Sequence, residues 1–169
     1  MTNDHVNELE RALTGASAAA PPSHILEGVS SELAQRTIPG APHTIYQELW
    51  HIAFWQQVTL DWVHGTETPF PAHAAAGFPS EADVRRESWN QLCQRFLRSS
   101  QEAAAVTREP QKLDQSIRCP SPPGVPVRIM SVREQLESLV AHNAYHFGRI
   151  VLLRQLNQAW PPASGGFTW

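Results

Sequence analysis

Apolar residues recur at three- and four-residue spacing in four segments of this 169-residue chain, and stretches rich in proline and glycine separate them. Side chains at those spacings share one face of a helix, so each segment predicts an amphipathic helix with a face to bury. The first segment, 4–14, puts Val6, Leu9 and Leu13 on one side. An Ala/Pro stretch over 16–22 interrupts it, and helix is expected again over 23–36, with Ile25, Leu26, Val29 and Leu33 apolar. Pro39, Gly40 and Pro42 then make a turn.

The second segment opens at Thr44, which has capping-box spacing with Gln47, and runs to about His64, where Gly65 terminates it. Ile45, Leu49, Ile52, Trp55 and Thr59 form its stripe. Trp50, Phe54 and Trp62 widen the apolar surface, and the three tryptophans read as core rather than pocket wall. Residues 66–79 read as a long loop. Ser80 and Asp83 cap a third helix to about Arg108, with Trp89, Leu92, Phe96, Ala103 and Val106 in register. Residues 112–130 are too proline-rich for helix and read as an extended crossover. Ser131 and Glu134 cap a fourth helix to about Gln158, striped by Leu136, Leu139, Asn143, His146, Ile150 and Leu153. Trp160-Pro161-Pro162 stops it, and 163–169 has no periodicity. With no convincing strand, the pattern predicts an all-α fold: one domain over 1–169, a four-helix bundle whose longer connections allow a crossover.

Composition closes off several classes of function. The formal net charge is -3, with no basic footprint for nucleic acid. No apolar run approaches a membrane span, and the polar, acidic start is unlike a signal peptide. Cys93 and Cys119 form no Cys-x-x-Cys motif and read as two incidental thiols. A cytoplasmic location is expected.

The chemistry concentrates in histidine. His142 and His146 are one turn apart on the fourth helix, about 6 Å along its axis at 1.5 Å per residue. His51 sits on the second helix among Leu49, Ile52 and Trp55. Eight histidines in 169 residues give a pair at this spacing by chance in roughly 0.4 of such chains, so spacing alone is weak. Position on the apolar stripes adds weight, because a buried imidazole needs a partner for each nitrogen. One shared cation would satisfy all three; ordinary hydrogen-bonded core histidines are the other reading. His43 precedes the Thr44 cap and is expected to order the turn, while His5, His24, His64 and His73 are expected to be solvated. Glu48, three residues before His51, is either a surface carboxylate or a hydrogen-bond partner for an imidazole. The fourth helix has no matching Glu-x-x-His, which disfavours a dinuclear carboxylate site. Tyr145 either donates a hydrogen bond near the site or packs. Arg154 either clamps an anionic substrate or is a surface cation near the helix end.

Two stretches carry a family resemblance. His43-Thr44-Ile45-Tyr46-Gln47-Glu48-Leu49-Trp50-His51-Ile52-Ala53-Phe54-Trp55 resembles the second-helix motif of the DinB-like metalloenzymes, which are distinct from the DNA polymerase sharing that name. His142-Asn143-Ala144-Tyr145-His146-Phe147-Gly148-Arg149-Ile150 resembles their His-x-x-x-His-x-Gly-x-Ile signature. Ile38-Pro39-Gly40-Ala41 and Trp160-Pro161-Pro162 fit as well, so the likeness spans roughly 5–162. It implies a four-helix bundle, often a homodimer, with His51, His142 and His146 on one divalent transition metal. Zinc is foremost, with nickel, iron or manganese as alternatives, and imidazole also accepts copper. Arg149 stands where the family usually has glutamine; it either adds positive charge near the site or faces solvent.

Family members of known activity include thiol S-transferases and a thiol-dependent isomerase. The resemblance therefore implies a small-molecule substrate and activation of a low-molecular-weight thiol such as bacillithiol, mycothiol or glutathione. Glu48, Tyr145 and Arg154 are the candidate catalytic residues. A hydrolase using metal-bound hydroxide with Glu48 as general base is the first rival, and a non-catalytic metal- or ligand-binding module the second. No nucleic-acid or membrane partner is expected.

Overall fold

A computed structural model of the protein describes residues 4–15, 17 and 19–166, with side chains described from residue 8 onward. The side chains of His5 and Val6, positions 16 and 18, and the end of the expected tail at 167–169 lie outside the described residues. Helix α1 spans Asp4–Thr14, as its periodicity predicts. The helix expected over 23–36 is two short ones, α2 at Pro22–Ile25 and α3 at Ser31–Gln35. Gly28 separates them at φ +70°, a left-handed conformation open to glycine but incompatible with a continuing helix. Ser30 then caps α3, its hydroxyl accepting from the Leu33 amide at 3.1 Å.

Helix α4 covers Ile45–Val63 with the capping box read from the sequence. Thr44 N–H donates to Gln47 Oε1 at 2.9 Å, and Gln47 N–H donates to Thr44 Oγ1 at 3.2 Å. The loop over 66–79 contains one 3-10 turn, Ala74–Gly77. The expected third helix is also divided, into α5 at Glu81–Arg86 and α6 at Trp89–Val106. A second box, Ser88 with Gln91, restarts the helix there. Glu87 at the break is extended, and its carbonyl accepts the Tyr46 hydroxyl at 2.7 Å.

The largest correction falls on 112–130. A short helix α7 at Pro110–Leu113 precedes strand β1 at Ser116–Cys119, which pairs antiparallel with β2 at Arg128–Ser131. The proline run between the strands is the hairpin's loop, where no ladder amides are needed. Helix α8 follows directly over Val132–Leu156, opened by the Ser131/Glu134 box and ending slightly short of Gln158. The fold is thus mainly helical with one two-stranded sheet. No helix among the described residues is long and apolar enough to cross a membrane.

Helix α4 packs against both α6 and α8, and α1 lies against α6 and α8. Ile45, Leu49, Ile52, Leu92, Phe96 and Ile150 are buried in one core region. Leu9, Leu13, Leu60 and Leu136 belong to a second. The hairpin contributes Cys119 to a third, with Val58 and Trp62, against which Trp55, Phe70 and Met130 pack. Polar bonds fix the helices in register at the level that matters. Fully buried Gln56 donates from Nε2 to Phe96 O at 3.0 Å and to Ser99 Oγ at 2.7 Å, while Asn143 Nδ2 donates to Gln56 Oε1 at 3.0 Å. α4, α6 and α8 are therefore cross-linked beside His142, and a slip of one helix would strand several buried polar groups.

Candidate metal centre

The i,i+4 spacing on α8 brings His142 and His146 onto the face that meets α4, where His51 projects between them. The ring centroids lie 5.1 Å apart for His51 and His142, 4.5 Å for His51 and His146, and 4.6 Å for His142 and His146. One nitrogen from each ring falls in a group whose members all lie within 4.8 Å of one another. His51 Nε2 and His142 Nε2 are 3.1 Å apart. A tetrahedral zinc site with bonds of about 2.0–2.1 Å needs its donors roughly 3.3 Å from each other, so this set fits such an ion with small side-chain adjustments.

The opposite ring nitrogens are held from outside. His51 Nδ1–H donates to the Gly77 carbonyl at 2.7 Å, which leaves Nε2 as the lone-pair nitrogen facing the cluster. His146 Nδ1–H donates to Glu48 Oε2 at 2.6 Å. His142 Nδ1 has a longer approach of 3.4 Å to Asn143 Oδ1. A backbone carbonyl and a carboxylate on the outer nitrogens are the usual supports of ligating imidazoles, since they fix ring orientation and raise basicity.

Burial is the main cause of the shifted histidine pKa values. It pushes His142 down to about 4, aided by the neighbouring His146 and His51, and it also lowers His51. Both rings are therefore neutral near pH 7, the protonation state that ligation requires. Metal-free protein should lose stability as pH falls from 6.5 toward about 4. In that window the unfolded chain takes up a proton that folded His142 excludes; above it both states are neutral and the effect disappears. Denaturation midpoints of chelator-treated wild type and His142→Asn, at about pH 7.5 and 4.5, check this, and the variant should show the shallower pH dependence.

Glu48 is not on the surface: it is fully buried between the centre and Arg149. Arg149 Nη2 lies 2.9 Å from Glu48 Oε1, an ion pair whose angle falls outside hydrogen-bond geometry. One carboxylate oxygen thus orients His146 and the other faces the guanidinium, so of the two positions open to Arg149 the structure selects the one near the site. Glu48→Gln should lower zinc affinity about 10–100-fold while leaving the fold intact, measured by chelator competition.

The other candidates separate clearly. Tyr145 is 63% exposed, with its ring edge-on to His146 at 5.0 Å and Arg149 over its face at 5.8 Å. Arg154 is neither at the centre nor on the surface. It is 2% exposed, and donates to Ile25 O at 2.5 Å and Ala159 O at 3.0 Å. His43 stacks on Phe78 at 3.9 Å, and the other face of Phe78 stacks on His51 at 4.2 Å. His24 is half-buried against Trp160 rather than solvated, while His64 and His73 are exposed as expected. Both cysteines are free thiols, and burial pushes Cys93 up to about 12, far from a reactive thiolate. A cavity of about 280 Å³ opens beside His142. Trp55 and Trp62 help wall it, so these two serve as pocket surface as well as core.

Sequence reading missed the Gly77 carbonyl and Phe78. A main-chain acceptor leaves no residue-type signal, and 66–79 offered only turn composition.

Three imidazoles from two helices, each with its outer nitrogen approached by an oxygen, define a candidate divalent-metal centre in a mainly helical protein. The sequence model of the DinB superfamily matches residues 8–150. That span covers most of the chain, and the protein belongs to the DinB superfamily. No curated protein matches it with significance.

Proposed function

We propose that this protein is an enzyme that transfers a small thiol to an electrophile, using a divalent ion held by His51, His142 and His146 in a four-helix bundle with a crossover connection. The observation that carries the reading is the convergence of three imidazole nitrogens with the outer faces of His51 and His146 fixed by Gly77 and Glu48. A cation held by three neutral ligands keeps its full charge and lowers the pKa of a thiol at its remaining position. The protein's own part is to keep His51 and His142 unprotonated by burial, to hold the Nδ1 protons of His51 and His146 on Gly77 and Glu48, and to provide an aromatic-walled space beside His142. In the transfer itself the S–H proton leaves to solvent, the sulfur forms a bond to the electrophilic carbon, and the leaving group departs with the bonding electrons.

The hydrolase reading loses support at Glu48. Glu48 is fully buried, with Oε2 accepting from His146 Nδ1 and Oε1 ion-paired with Arg149, so its carboxylate is committed to the outer nitrogen of an imidazole rather than to a water at the site. The test is consumption of bacillithiol, mycothiol and glutathione against a panel of alkyl halides and epoxides. Chelator-treated protein should be inactive and zinc should restore turnover. A zinc-loaded sample that consumes none of these thiols would refute the proposal and leave the binding-module reading.

A further inference from the structure

We propose that the cavity beside the metal centre seats a small molecule with an apolar body and one carboxylate, and that Arg128 holds the carboxylate. The inference rests on the thiol-transfer reading only in making this molecule the thiol's acceptor.

The floor of the cavity is α4 and α8, and its roof is the β1–β2 hairpin and the 66–79 loop. Arg118 Nε donates to Glu67 Oε1 at 2.8 Å, which ties the two roof pieces together. Inside, Trp55 and Phe70 lie 4.9 Å apart by ring centroid, and Trp55 is 6.4 Å from His142. The volume of about 280 Å³ is small for a ligand site and suits a single-ring body. Flat aromatic walls favour such a body over a strongly hydrated one.

The polar groups of the wall are mostly spoken for. Gln135 Nε2 donates to Thr59 Oγ1 at 3.0 Å, and Cys119 Sγ donates to Gln135 Oε1 at 3.6 Å. Arg128 is the one lining cation among the described residues without such a partner. Alternation along the ladder places it on the same face as its partner Cys119, with Ile117 and Met130, against the aromatic cluster. Arg118 and Ile129 take the other face, and Arg118 has Glu67 as counter-ion. Among the described residues the exposed Arg128 side chain has no ion pair and no hydrogen bond, although it lines the cavity. An unpaired guanidinium at the edge of an aromatic pocket is complementary to a carboxylate, which it can bind through two parallel N–H donors. The apolar body then lies along Trp55 and Phe70, with its far end toward His142.

Binding of 3-phenylpropanoate and of uncharged 3-phenylpropan-1-ol to zinc-loaded protein, followed by tryptophan fluorescence and calorimetry, tests this. Wild type should prefer the acid by roughly tenfold or more. Arg128→Gln should abolish that preference while still binding the alcohol and retaining its zinc. Arg36→Gln, at the C-terminal end of α3 and not part of the cavity lining, should keep the preference. Equal binding of acid and alcohol by wild type, binding of neither, or an unchanged preference in Arg128→Gln would overturn the proposal. A preference that persists in Arg128→Gln and vanishes on zinc removal would put the carboxylate on the metal instead, which also overturns it. The assay contains no thiol, so failure of thiol transfer leaves its outcome unaffected.

Discussion

Replacing His51 with alanine is expected to lower zinc affinity by two to three orders of magnitude with little change in helical content. Structural zinc sites with four protein ligands bind with about 10–16 kcal/mol, or about 2.5–4 kcal/mol per ligand. At 1.4 kcal/mol per factor of ten, loss of one ligand gives about 10²–10³. His142→Ala and His146→Ala should fall in the same range, because no carboxylate or thiol among the described residues joins the group as a fourth donor. His43→Ala is the control. Its ring stacks on Phe78 rather than joining the cluster, so zinc stoichiometry should hold. Metal analysis after dialysis, with circular dichroism on the same samples, separates ligand loss from unfolding. Full zinc retention by all three variants would remove the metal centre from the protein.

Arg154→Met should produce a large loss of stability without touching zinc affinity. The guanidinium fastens the carbonyl of Ile25, at the end of α2, and that of Ala159, beyond α8, and it packs 5.2 Å from the Trp160 ring. Methionine keeps much of the apolar stem but leaves one buried acceptor, Ile25 O, and one half-buried acceptor, Ala159 O, without a donor, at about 1–3 kcal/mol for the first and less for the second. For a protein of this size that corresponds to a fall in Tm of about 5–15 °C by calorimetry. Arg154 lies eight residues beyond His146, about 12 Å along the helix axis, so zinc binding should match wild type. An unchanged Tm would mean that neither carbonyl depends on it.

These outcomes bear on how much of the molecule can be read from residue order. The capping boxes at Thr44 and Ser131, the stripes of α4, α6 and α8, and the histidine pair are local patterns, and the structure has each of them. The break at Glu87 was equally local. Ser88 and Gln91 have the same box spacing, but the apolar periodicity runs across it and masks it. The hairpin was illegible for a different reason. Its strands are four residues each, too short to display alternation, and their pairing spans a proline-rich gap. Arg154 was misjudged because its partners are two carbonyls from distant turns, which no residue type announces. Glu48 was ambiguous because its helix face is buried only once α8 supplies His146 and Arg149. What came through was chemistry written within one helix; what did not was chemistry completed by backbone from elsewhere.

The Gly77 carbonyl carries that last point further. It supports His51 through main chain alone, and a methyl group added at position 77 would sit 3.5 Å from the His51 ring, an ordinary contact. The course of the 66–79 excursion therefore matters more than its spelling. Two descendants of one ancestor could differ at many letters of this stretch, Phe70 and Phe78 aside, and still present the same carbonyl to His51. An exchange that bent the path by an ångström would disable it while leaving every histidine in place.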